Sequence, residues 1–233
     1  MRRPSLFDTG LLGDAGGSAC SLLLFVHRVQ GLPAGLYMLI RDMQQLDALQ
    51  AGLSPAFGWS LCAPKQDEET GVITGARAIP RGPERAVEVL QLLASGVLPL
   101  FCLAVGDVQE YAQQAFCHQD VACDGTFSVA MIAPIGRPFE SEEARGRAYR
   151  ESHWECGVIG QTLYLAAEGE QRNFHGTGLG CFFDDAIHQV LGINPGNVAG
   201  YQCLYGFSVG AGLVGELNDD DVEDGPRRAN LNV

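Results

Sequence analysis

Apolar residues in this chain gather in short unbroken runs separated by turn-forming residues, and their spacing alternates between strand-like and helix-like along the sequence. The first run, Cys20 to Val26, is followed by Gln30-Gly31-Leu32-Pro33-Ala34-Gly35 and a second run from Leu36 to Ile40. Two apolar runs around a Gly/Pro turn predict a β-hairpin, since Gly and Pro supply the backbone angles that reverse the chain. Gly58 to Pro83 is rich in Gly, Pro and charge and reads as surface loops. Pro83-Glu84 opens a helical pattern, Ala86, Val87, Leu90, Leu93 and Ala94, that Gly96 stops. Leu98 to Val105 and Phe127 to Ile135 are continuous apolar stretches of the kind found in buried strands. The longest helical pattern runs from about Glu142 to Gly169, with Tyr149, Cys156, Gly160, Leu163, Tyr164 and Ala167 on one stripe. Asp184 or Asp185 can cap a short helix ending at Leu191, and Tyr201 to Val209 reads as a last strand. Residues 217–233 form a polar tail, and the whole chain, 1–233, reads as a single domain.

Charge narrows the partners. Fifteen Lys plus Arg against 28 Asp plus Glu give a net charge of −13, and so acidic a surface repels nucleic acid and anionic lipid. No apolar run approaches the ~20 residues that cross a bilayer, and no signal peptide is visible, so a cytoplasmic location is expected. Eight cysteines lie scattered, mostly inside apolar segments, without the clustered spacing of a disulfide framework. Reduced, packed thiols are the expectation.

Most candidate chemistry fails on its context. The chain's one lysine, Lys65, excludes a Walker A loop. Gly176-Thr177-Gly178-Leu179-Gly180 looks like half a dinucleotide fingerprint, yet it follows a helix and Cys181 stands where spacing requires the third glycine. Gly206-Phe207-Ser208-Val209-Gly210 matches the nucleophile-elbow pattern, but no helical stripe follows and the last histidine, His188, precedes it. Cys117-His118 with Cys123, and His153 with Cys156, lack the spacing that converges ligands on one metal ion. Asp184-Asp185 at a helix start reads as a cap more readily than as an acid/base pair.

Four later stretches resemble the nitroreductase superfamily of flavoproteins, nearest to its SagB-type dehydrogenases: Cys117 to Ile135, Tyr149 to Glu170, Gly176 to Ile193, and Leu204 to Gly210. Leu24 to Asp42 resembles the hairpin that precedes them in that family. The resemblance implies an α+β fold with a mainly antiparallel sheet flanked by helices, a homodimer, and FMN at the subunit interface. It also implies two-electron chemistry, with hydride passing between flavin N5 and a small-molecule or peptide substrate.

Carried over by resemblance, the flavin-facing loop falls on Gly178, Gly180, Cys181 and Phe182, as backbone contacts that glycine permits by letting the main chain approach a ring. The family's FMN phosphate is held by an opening helix with an Arg-Ser-x-Arg-like signature. Here Met1-Arg2-Arg3-Pro4-Ser5-Leu6-Phe7 departs from it at Pro4, so that segment reads as missing or degenerate. Arg227, with Arg228 beside it, takes the position of a late basic residue in relatives. The Lys-Tyr pair associated with azoline oxidation in that family is not placed on this sequence. No catalytic residue is assigned; His175, beside the glycines, is the best proton-donor candidate. The defective opening also supports another reading, a flavin-free binding or scaffolding subunit of a peptide-modifying complex.

Overall fold

The computed structural model describes residues 20–66, 73–136, 140–169, 173–193 and 200–211. Eight strands are present among them: β1 (Ser21–Val26), β2 (Gly35–Leu39), β3 (Ser60–Gln66), β4 (Ile73–Ile79), β5 (Leu100–Val105), β6 (Phe127–Pro134), β7 (Phe174–Leu179) and β8 (Tyr201–Ala211). Six helices accompany them: α1 (Leu46–Gly52), α2 (Ala86–Ala94), α3 (Gln109–Ala115), α4 (Asp120–Asp124), α5 (Glu142–Gly169) and α6 (Asp184–Leu191). The strands form one sheet in the order β4-β3-β5-β2-β1-β6-β8-β7, and every neighbouring pair is antiparallel. This is the α+β class that the resemblance implies.

Both faces of the sheet are covered, which explains why its central strands read as unbroken apolar runs. In β1, Leu23 and Phe25 join one core cluster while Leu22 and Leu24 face the other; in β6, Ala130 and Ile132 oppose Val129 and Met131. A two-residue period with both faces buried leaves no polar position to mark the alternation. One face carries Leu49 of α1, Ala112 and Ala115 of α3, Ala122 of α4 and Ile187 and Leu191 of α6. The other carries Cys156, Ile159, Leu163, Tyr164 and Ala167 of α5.

Three sequence expectations change. The Gly58 to Pro83 region contains β3 and β4: among its described residues Trp59, Leu61, Ala63 and Ile79 reach the core while Pro64, Lys65 and Gln66 stay exposed, so few apolar positions mark the strands. The β3–β5 ladder extends only over Ser60 and Leu61, so Pro64 lies where β3 has no β5 partner that would need its missing N–H. Tyr149 leaves the buried stripe of α5: it is 45% exposed, and its ring lies 4.5 Å from that of His153. Asp184 and Asp185 do not cap α6; Phe183 holds the cap position without a side-chain bond. Asp184 instead accepts the Cys203 N–H of β8 at 3.2 Å.

The long helix is fixed at its middle by charge. Glu155, only 3% exposed at its side chain, is ion-paired with Arg41, 12% exposed. Glu155 also accepts the Cys20 N–H at 3.3 Å, and Arg41 donates to the Cys20 carbonyl at 3.4 Å. One carboxylate therefore joins α5, the start of β1 and the turn after β2. Breaking a buried pair from one side leaves a desolvated charge, which typically costs about 3–5 kcal/mol. Glu155→Gln is expected to lower unfolding free energy by about 3 kcal/mol, read from the midpoint of urea denaturation; a midpoint equal to the parent's would remove this pair from the stability account.

Candidate functional site

Gly176 and Gly178 lie inside β7, not in a loop, and the reason they are glycine is aromatic packing. A Cβ on Gly176 would come within 2.7 Å of Phe207 Cζ and 3.1 Å of Tyr164 Cδ1; one on Gly178 would meet Tyr205 Oη at 2.0 Å. Phe207 and Tyr164 pack edge to face with centroids 4.7 Å apart. The Gly178 N–H donates to Tyr164 Oη at 2.8 Å, so this amide is already engaged by α5. Thus Gly178 is enclosed between the last strands and the long helix.

The stretch after β7 is different. Gly180 is exposed, and a Cβ built there would meet nothing within 4 Å. Phe182 is half-buried against the core, and Phe183 is 49% exposed, with its N–H donated to the Ala115 carbonyl at 2.8 Å. The expectation of four adjacent flavin contacts therefore divides: Gly180, Cys181 and Phe182 sit together on the corner between β7 and α6, and Gly178 lies behind it. Arg227, Arg228, Arg2 and Arg3 lie outside the described residues.

Cys181 is not a free thiol. It is joined to Cys117 by a disulfide between residues 64 positions apart, with Cα atoms 5.9 Å apart. Neither residue belongs to a spaced motif, so nothing in the sequence pairs them; the fold brings the α3–α4 turn against the β7–α6 corner. A bridge closing a loop of this size contributes about 4 kcal/mol by constraining the unfolded chain. The same turn grips the corner in other ways. Gln119 Nε2 donates to the Cys181 carbonyl at 3.2 Å, and the rings of His118 and Phe183 meet edge to face at 6.3 Å. Cys117 and His118 both adopt left-handed backbone, with φ of 55° and 57°, a conformation that costs non-glycine residues roughly 1–2 kcal/mol each. The surrounding contacts hold them there.

The other cysteines follow the packed-thiol expectation. Cys20, Cys102, Cys123, Cys156 and Cys203 are buried and Cys62 is partly so. Burial pushes the thiols of Cys62 and Cys123 up to about 11, which keeps them protonated near neutrality.

The remaining candidates have structural partners. His175 stands on β7 with its Nδ1 3.0 Å from Glu168 and its Nε2 2.9 Å from Asn173. Both ring nitrogens are thus occupied. Ser208 lies within β8, which runs on to Ala211, and donates to the Val121 carbonyl at 2.6 Å, which is no nucleophile elbow. His153 Nδ1 sits 2.9 Å from the Tyr149 carbonyl, and Cys156 Sγ lies 3.6 Å from Cys20 Sγ. His27, which the sequence did not single out, bridges the hairpin to α4 through the Ala122 carbonyl at 3.0 Å. Burial lowers its pKa from the usual histidine range, so it favours the neutral ring.

No protein-family model and no curated protein matches the chain. Solved structures match parts of the chain. One, assigned as a nitroreductase of Anabaena variabilis, is 20% identical with a TM-score of 0.48, over 83% of this chain and 27% of that one. Another so assigned, from Ralstonia eutropha, is 11% identical with a TM-score of 0.42, over 84% of this chain and 59% of that one. A nitroreductase family protein of Clostridium novyi is 13% identical with a TM-score of 0.32, over 45% of this chain and 56% of that one. The chain thus spans 27% and 59% of the first two, and at these scores the likeness carries no functional weight.

The glycine geometry makes a test. Gly176→Ala must displace the fully buried Phe207 ring, and overpacking of this kind costs about 1–3 kcal/mol. Gly180→Ala enters open space and is expected to stay within about 0.5 kcal/mol of the parent. Denaturation midpoints that fail to separate the two variants would contradict the packing described.

Proposed function

We propose that this chain is an FMN-binding oxidoreductase of the nitroreductase type, and that the corner Gly180–Phe183 is where its main chain meets the flavin ring. The observation that carries the reading is Gly180, exposed and open on its Cβ side at the end of a strand otherwise closed by aromatic side chains. A flavin ring needs backbone donors that it can approach closely, and glycine without a neighbouring obstruction provides them. The open backbone at Gly180 supports placing the ring at this corner. A phosphate is less well served, since Asp184 and Asp185 occupy the first turn of α6, where negative charge opposes an anion. Phosphate contacts fall to Arg227 on this reading. When bound, FMN supplies two-electron hydride chemistry at N5. On this reading the residues Gly180 to Phe182 orient the ring, and the substrate is a small molecule or a peptide.

The acidic first turn of α6 favours a second reading, a flavin-free binding or scaffolding subunit. Titration with FMN and with riboflavin separates the two. Measurable binding of both is expected, with FMN held loosely because each missing charge-assisted contact costs about 1.5–3 kcal/mol. Gly180→Val should weaken both ligands at least tenfold while leaving the denaturation midpoint near the parent's. Absence of binding to the parent would establish the flavin-free reading, and equal affinity in the variant would move the ring elsewhere.

We also propose a homodimer. The outer side of α5 exposes Trp154 at 57% and Leu165 at 65%, eleven residues or about three turns apart and therefore on one stripe. Large apolar groups on an outer helix face mark a surface that a second copy can cover. Light scattering at micromolar concentration should give a dimer mass for the parent and a monomer mass for Trp154→Glu/Leu165→Glu; a monomeric parent would overturn this assembly.

A further inference from the structure

The Cys117–Cys181 bridge invites a role that the flavin reading does not use. Among the described cysteines these two differ from the rest in setting: Cys181 is exposed and Cys117 partly so, whereas five of the six free thiols are buried. The bond spans two elements distant in sequence, and it is the one redox-sensitive contact among those by which the α3–α4 turn grips the corner. The others are the Phe183 N–H to Ala115 carbonyl bond, the Gln119 to Cys181 carbonyl bond and the His118–Phe183 ring contact. Cys117 and His118, both in left-handed backbone, are held in an unfavourable conformation beside it.

We propose that Cys117 and Cys181 form a reversible thiol–disulfide site whose redox state sets how firmly the β7–α6 corner is held. The partner is a dithiol reductant. Its thiolate attacks the sulfur of Cys181, the more exposed residue of the two, forming a mixed disulfide and expelling Cys117 as a thiolate, which takes up a proton. The reductant's second thiolate then attacks its own sulfur in the mixed bond and expels Cys181, which is protonated in turn. Two electrons and two protons pass to the pair, and the reductant leaves as its cyclic disulfide. In a reducing compartment the site rests open; in an oxidising one it rests closed. The Cβ–Sγ arms no longer bind the turn to the corner once open, and Cys117 and His118 can relax toward right-handed backbone. This inference stands whether or not flavin binds.

The test uses the full chain without added flavin. Peptide mapping of the oxidised protein should recover a Cys117–Cys181 cross-link, and dithiothreitol without denaturant should open it while the buried thiols stay unlabelled. Exchange of the Phe183 amide should quicken at least tenfold on reduction and slow again after oxidation by glutathione disulfide. Cys117→Ser should exchange like the reduced protein and take up one equivalent of glutathione at Cys181. Should that variant not fold, the parent's exchange rates decide alone. No cross-link in the oxidised protein, a bridge that resists native dithiothreitol, or a Phe183 amide indifferent to reduction would each overturn the proposal.

Discussion

The sheet's far edge rests on aromatic rings laid against bare backbone. Phe207 occupies the space where Gly176 would carry a Cβ, Tyr205 does so at Gly178, and Phe116 does so at Gly206. An edge strand has one hydrogen-bonded neighbour, and glycine gives it no side chain to pack. Rings folded over the glycines restore the lost contact area and exclude water from the β7–β8 ladder. The long helix closes the layer through Tyr164, whose ring packs on Phe207 and whose hydroxyl accepts the Gly178 N–H. The direction in which the chain leaves β7, and with it the corner Gly180–Phe183, follows from this arrangement.

Charge and covalent chemistry fix the other ends of the frame. The Arg41–Glu155 pair holds α5 to the hairpin on one side of the sheet, and the Cys117–Cys181 bridge holds the corner to the α3–α4 turn on the other. The two constraints respond to different conditions. A buried ion pair is insensitive to solution thiols, whereas an exposed disulfide answers to them directly. The two proposals made for this molecule, a flavin contact and a reversible bridge, fall on the same corner.

The sequence by itself determined the central elements. The runs that became β1, β2, β5, β6 and β8 were legible because burial on both faces keeps most of their positions apolar, and the stripe of α5 was legible because a long helix repeats its face many times. It also removed two motif readings: a single lysine in a loop context excludes a Walker A loop, and no histidine follows position 188 to complete a nucleophile elbow at Ser208. It set the glycines at 176, 178 and 180 without distinguishing them, since a packing glycine and an open one are the same letter.

Only the tertiary structure decided which glycine was which, because the ring that fills a missing Cβ position comes from another strand. The same holds for β3 and β4, whose polar sequences become strands by pairing with each other at the sheet edge, where few side chains need burial. It holds for Asp184, whose carboxylate turned from the helix start to a backbone N–H of β8. It holds most of all for Cys117 and Cys181, joined across 64 residues. Loop-closure entropy depends only weakly on that separation, so no local signal records the pairing, and the packing of α3 against α6 alone brings the two sulfurs together.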